Sequence, residues 1–229
     1  MGEALTTTNG RPDCAVLLFG GHRAPRGLAH LPALTVQEAT QVDAVTNCRR
    51  IVVVGADKDL ATVLTRLMKT EKLAVEVAFV PRRRTAATRA HGLPAGRRAV
   101  RAALTHDATR VPLIRDDSGR VLVGAGLWVG ETELEKGTPP ATLHGEAVVD
   151  DTVLFDGEAV AVRIEPIAAM PGLRASVLSS RMRPKRWVAG RAAQLGTTGA
   201  FVVRDGELGP RAVKRSTFYR HTEGWLAVR

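Results

Sequence analysis

The tract Lys214-Arg215-Ser216-Thr217-Phe218-Tyr219-Arg220-His221 alternates cations, hydroxyls and aromatics. In an extended strand successive side chains point to opposite faces, so Arg215, Thr217 and Tyr219 share one face. Guanidinium, ammonium and hydroxyl groups are the side chains that meet phosphate oxygens, and Arg can do so through two parallel N–H bonds. Lys214, Arg215 and Arg220 are therefore candidate phosphate ligands, the alternative being ion pairs with carboxylates such as those of the Asp116-Asp117 turn. A second basic tract, Arg181-Met182-Arg183-Pro184-Lys185-Arg186-Trp187, contains a proline and reads as an exposed loop. Gly20-Gly21-His22-Arg23 follows the first apolar run. Open α/β sheets bind ligands at such a place, although a plain loop has the same composition.

Other chemistry is poorly represented. The six histidines show no ligand spacing, and no metal is assigned. Cys14 and Cys48 have neither C-x-x-C spacing nor further partners, and read as small buried hydrophobes. Trp128, Trp187 and Trp225 are scattered and read as core or interface residues. Asp59, or in second place Asp57, is the expected N-cap of the helix that follows.

A chain of 229 residues with 45% apolar side chains can bury a core and divide into one large or two modest domains. No apolar run reaches membrane-spanning length. The acidic, polar N-terminus is unlike a signal peptide, so the expected location is the cytoplasm, with peripheral contact at a membrane as an extension. Charge is unevenly spread: of 33 basic and 23 acidic residues, 12 basic and 3 acidic ones fall in residues 166–229. That basic end suits phosphates, nucleic acid or anionic lipid, or else is a solvated face.

The elements that would position these groups change character along the chain. Residues 1–12 are polar and read as a disordered leader. Ala15–Phe19 and Arg50–Val54 are short apolar runs ended by glycine, the pattern of strands buried on both faces. Leu34–Asn47 is expected to be a helix. Leu60, Val63, Leu64, Leu67 and Met68 recur at helical spacing. Val75–Val80 is a strand halted by Pro81, and after Arg82-Arg83-Arg84 a helix is expected with Val100, Ala103 and Leu104 inward. Alternating strands and helices up to residue 108 imply a parallel sheet with right-handed crossovers. Thereafter strands and turns dominate, including an Asp116–Gly119 hairpin and two Asp-Gly-Glu turns at 156–158 and 205–207. The expected organisation is an α/β three-layer domain at 13–108 and a β-rich, mostly antiparallel, basic domain at 109–229. Phe218–Tyr219 and Leu226–Val228 are expected to close the second domain.

Val52-Val53-Val54-Gly55-Ala56-Asp57-Lys58-Asp59-Leu60-Ala61-Thr62-Val63-Leu64 resembles the strand, Gly-Gly-Asp-Gly-Thr turn and helix of the diacylglycerol kinase and NAD kinase superfamily. Phe79-Val80-Pro81, His91-Gly92-Leu93-Pro94 and Asp205-Gly206-Glu207 are similar to further motifs of that family, in the same order, over residues 13–229. The resemblance implies a lipid-kinase-like fold, Asp57 and Glu207 as catalytic groups, and Gly20, Gly21, Gly55 and Lys58 at the phosphates. ATP and magnesium would follow only where activity survives.

The departures weigh against activity. Ala56, Lys58 and Asp59 replace the second Gly, the third Gly and the Thr, although glycines let backbone N–H groups approach phosphate oxygens. Arg82–Thr88 lacks the family's Asn-Asp pair. Phosphoryl transfer rests on positioning and electrostatic stabilisation, so these losses cost orders of magnitude in rate. The expectation is a divergent, catalytically impaired lipid-kinase-like protein that binds a phosphate-bearing small molecule or lipid and acts in regulation. The alternatives are an active diacylglycerol-kinase-type enzyme and a nucleic-acid-binding protein using the basic second half.

Overall fold

The computed structural model describes residues 13–130 and 142–229, so the expected leader at 1–12 lies outside the described residues. The chain divides into two units, one running to Val111 and taking in Glu223–Arg229, the other spanning Pro112–Thr222.

In chain order the first unit contains β1 (Cys14–Leu18), β2 (Ala33–Thr35), β3 (Arg50–Val54), α1 (Asp57–Lys69), β4 (Glu76–Phe79), α2 (Ala86–His91), α3 (Arg97–Thr105) and β5 (Ala108–Val111). The second contains β6 (Ile114–Asp116), β7 (Val121–Leu122), β8 (Gly126–Gly130), β9 (Leu143–Val149), β10 (Thr152–Ala159), β11 (Ala161–Pro166), β12 (Leu173–Val177), β13 (Val188–Gly190), β14 (Ala192–Arg204), β15 (Glu207–Leu208) and β16 (Val213–Arg220). The last strand, β17 (Trp225–Val228), belongs to the first unit.

The first sheet has the order β2-β1-β3-β4-β17-β5. Ala15 lies opposite Ile51 and Leu18 opposite Val54 in parallel register, as the apolar runs imply. β3 pairs with β4, and β4 with β17, also in parallel, whereas β17 meets β5 antiparallel. Every residue of β3 is buried, the mark of a strand covered on both faces. Val16, Val52, Val54 and Ala78 pack against Ala99 and Ala103 of α3, while Leu17, Ile51 and Val53 are equally buried on the opposite face. α1 buries all five residues read from its spacing. Burying five such side chains contributes on the order of 10 kcal/mol, which stabilises a helix of a length that is marginal in water alone.

Three expectations for this unit are corrected. Leu34–Asn47 forms a short edge strand and a 3-10 turn at Ala39–Val45 rather than a helix, because Val36 and Val42 are its only fully buried apolar side chains and do not make a helical stripe. α3 buries Ala99, Ala102 and Ala103, while Leu104 is 42% exposed, so its inward face is rotated towards the small residues that allow close approach to the sheet. Leu226–Val228 does not close the second domain. Ala227 pairs with Val77 on one side and Thr109 on the other.

Among the described residues the second unit forms an eleven-stranded sheet whose pairings are antiparallel. The Asp116–Gly119 hairpin forms as expected, with Ile114 opposite Leu122. The first Asp-Gly-Glu is corrected: residues 156–158 lie inside β10, where Gly157 faces Gly145 of β9, and make no turn. The core gathers around Trp128, Phe218, Leu143 and Leu195. The Trp128 indole N–H donates to the buried Ser216 Oγ at 3.0 Å. Asp116, with no exposed surface, accepts from Arg204, from Ser118 Oγ at 2.7 Å and from Arg120 N at 2.9 Å. A buried carboxylate needs this many partners to offset its desolvation.

Candidate functional site

Because β1, β3 and β4 run in parallel and adjoin one another, the loops that follow them leave the same edge of the first sheet. Phe19 N donates to Val54 O at 3.1 Å and Val80 N to Val53 O at 2.8 Å, which carries the pairing up to the loops. Gly20–Arg23, Gly55–Asp59 and Pro81–Arg84 are thereby gathered at the carboxyl ends of the strands. This is where parallel sheets bind ligands.

Gly20 and Gly21 have φ of 57° and 72°, left-handed values that favour glycine, and His22 N closes the turn on Phe19 O at 3.0 Å. No heavy atom lies within 4 Å of the place a Cβ on Gly21 would take, so the surface above this turn is open.

The Gly55 turn is filled by the protein itself. Asp59 Oδ2 accepts the Ala56 N–H at 2.7 Å, and a Cβ on Gly55 would stand 2.4 Å from that same oxygen. The expected N-cap is corrected here: Ala56 occupies the cap position, and Asp59, three residues on, reaches back to it. The carboxylate also suits the positive end of the helix. A second anion brought to this turn would meet both its bulk and its charge.

Asp57 plays a different part. Its Oδ2 accepts the Ala87 N–H in the first turn of α2 at 3.1 Å, joining the two helix starts. Its Oδ1 is buried without a hydrogen-bond partner among the described residues. Thr85 caps α2 reciprocally with Thr88, so the start of this helix is already supplied with acceptors. Lys58 is exposed at the start of α1. Arg82, Arg83 and Arg84 are exposed beyond Pro81, and among the described residues their side chains make no ion pair or hydrogen bond. Sequence reasoning passed over them as candidates, although three consecutive arginines after a strand end carried the signal.

The other residues singled out by sequence belong to the second unit. Asp205, at φ 49°, turns β14 into β15, and its carboxylate accepts the N–H groups of Val123, Gly124 and Ala125 at 3.1, 2.7 and 3.0 Å. Glu207 pairs with Arg120 at 3.1 Å, with both side chains about half exposed. Arg215, Thr217 and Tyr219 share one face of β16, since Ser216 and Phe218 between them are buried. Tyr219 lies under the Arg115 guanidinium at 5.3 Å. Lys214 and Arg215 are exposed, whereas Arg220 is tied to Pro171 O at 3.0 Å. The structure thus brings Gly20, Gly21, Gly55, Asp57 and Lys58 together at one sheet edge, and places Glu207, Lys214, Arg215 and Arg220 in a different unit.

The sequence matches no protein-family model and no curated protein. Among solved structures, the chain is similar to an NAD kinase from Archaeoglobus fulgidus in complex with ATP, with a TM-score of 0.61 and 12% identity, over 94% of this chain and 93% of that one. The fold is that of the NAD kinases. Yeast NADH kinase complexed with NADH is also similar, with a TM-score of 0.48 and 10% identity, over 86% of this chain and 65% of that one. No helix among the described residues is long and apolar enough to cross a membrane. No group of three or more potential metal-ligating side chains occurs among them.

Both cysteines are thiols rather than thiolates. Burial pushes Cys14 up to about 11 and raises Cys48 as well, which suits filling space and not nucleophilic attack.

Proposed function

We propose that the chain is a divergent, catalytically impaired member of the kinase group whose fold it has, binding a phosphate-bearing ligand at the carboxyl edge of its first sheet and serving a regulatory role. The observation that carries this reading is Asp59 Oδ2 at 2.7 Å from Ala56 N, a carboxylate lodged in the turn that the resemblance assigns to phosphate. The cations of the same edge, Arg82, Arg83 and Arg84, are exposed and unpaired among the described residues, and can meet phosphate oxygens from outside the turn. The ATP bound to the similar Archaeoglobus NAD kinase supports a nucleotide as one such ligand, and the diacylglycerol kinase side of the resemblance supports a phospholipid as another.

Calorimetric titration with ATP, and separately with a short-chain phosphatidic acid, tests the binding. The replacement of Arg82, Arg83 and Arg84 by Gln together is expected to weaken it at least about tenfold. Unchanged affinity in that variant removes the ligand from this edge. Radiolabelled transfer from ATP to diacylglycerol at about one turnover per second, ordinary for a kinase, refutes the impairment.

A second reading, an active ATP-dependent diacylglycerol kinase, is favoured by one feature. Asp57 keeps a buried oxygen without a partner among the described residues, as a group that accepts a substrate hydroxyl proton would. Under that reading ATP and magnesium are required, and Asp57→Asn abolishes transfer while ligand affinity is kept.

A further inference from the structure

The loop joining β12 to β13 is built of residues that the phosphate site does not use. Leu178 and Pro184 bridge its base, Ser179 N donates to Arg183 O at 2.8 Å, and Met182 N donates to Ser179 O at 2.8 Å. Arg183 N also donates to Ser179 Oγ at 3.2 Å, so residues 179–183 close a tight turn. Met182 stands in this turn at φ 56°, a conformation that L side chains rarely adopt, and the residue is 42% exposed. The turn therefore holds an apolar side chain outward at a conformational cost.

Along residues 181–187 every charged side chain is a cation. Arg181, Arg183, Lys185 and Arg186 are exposed, and among the described residues none of their side chains makes an ion pair or hydrogen bond. No Asp or Glu occurs between Glu165 and Asp205. Trp187 follows, partly exposed, its ring 4.3 Å from the Arg174 guanidinium, which Glu165 holds at 2.7 Å.

We infer that this turn docks on the surface of an anionic lipid bilayer, with Met182 entering the boundary between headgroups and acyl chains, the four cations meeting lipid phosphates, and Trp187 at headgroup level. Basic side chains alone would serve a nucleic acid backbone equally well. The exposed Met182 decides between them, because an apolar apex is buried at a bilayer interface and gains nothing against phosphodiesters.

Flotation of the full chain with phosphatidylcholine vesicles, with and without phosphatidylglycerol, tests the inference. Binding is expected only to the anionic vesicles. The combined variant Arg181→Gln, Arg183→Gln, Lys185→Gln, Arg186→Gln should lose at least about tenfold in partitioning. Met182→Gly keeps the fold, since glycine suits a positive φ, and should show an unlowered melting temperature together with severalfold weaker partitioning. The inference is overturned by absence of binding to anionic vesicles, by partitioning that survives either variant, or by duplex DNA bound more tightly than vesicles and indifferently to Met182→Gly.

Discussion

Arg50 and Glu76 join neighbouring strands of the first sheet at 2.6 Å, and the same guanidinium donates to Ala103 O at 2.7 Å and His106 O at 2.9 Å at the end of α3. One side chain, 6% exposed, thereby fixes β3, β4 and α3 to each other. Its removal strands a partly buried carboxylate and two helix-end carbonyls. Arg50→Met is expected to cost about 2–4 kcal/mol in urea unfolding, with Arg49, also paired to Glu76, limiting the loss. Arg50→Lys should recover only part, because an ammonium cannot reach three acceptors as a planar fork does.

Removing the carboxylate from the Gly55 turn should trade stability for ligand. Asp59→Thr loses the bond to Ala56 N and about 1 kcal/mol of helix capping. It also removes one negative charge from beside an approaching phosphate, so affinity for ATP or pyrophosphate should rise roughly tenfold in calorimetry. A fall in affinity would show that Asp59 assists the ligand.

Gly55 and Asp59 should be energetically coupled. Gly55→Ala places a methyl on the Asp59 carboxylate, 2.4 Å from Oδ2 and 3.0 Å from its Cβ, at a cost of about 1–3 kcal/mol. Asp59→Ala removes the carboxylate and with it the 2.4 Å contact, leaving only the approach to Cβ, and the double variant should be more stable than the sum of the singles by about 0.5 kcal/mol or more. Strict additivity in denaturant titrations would place the carboxylate elsewhere.

Alkaline pH should weaken the first unit through Cys14. Burial raises its folded-state value from 9.0 to about 11, so the unfolded chain ionises first. The contribution of the neutral thiol is complete below about pH 9 and is lost as pH rises towards about 11. Melting temperatures taken across that window should decline more steeply for the native protein than for Cys14→Ala, and iodoacetamide should label Cys14 slowly at neutral pH.

How much of this was legible depended on how local the cause was. The α1 stripe, the all-buried β3 and the Asp116–Gly119 turn each express a pattern within a few residues, and periodicity finds such patterns. The inward face of α3 was displaced because Ala99 and Ala102 carry little hydrophobic signal while fitting closest to the sheet. Leu226–Val228 reads as a strand, yet the partners of β17, Val77 and Thr109, are distant in sequence, and nothing in its own composition names them. The candidate site was legible as residue types and misread in detail. That Asp59 bends back onto Ala56, and that Asp57 reaches Ala87, follows from side-chain direction at a helix start rather than from spacing.

The insertion of β17 between β4 and β5 also sets an order of events during synthesis. A ribosome makes β1 to β5, then the whole of the second unit, and only afterwards the strand that fills the gap in the first sheet. Until Trp225–Val228 leave the exit tunnel, β4 keeps an unpaired edge beside a mostly apolar surface, the kind of template on which nascent chains associate. The second unit, contiguous from Pro112 to Thr222, has all its strands earlier and can finish first. Translation is vectorial, yet completion of the first sheet waits for a strand made after the whole second unit, and the codons of β17 decide when that sheet is filled.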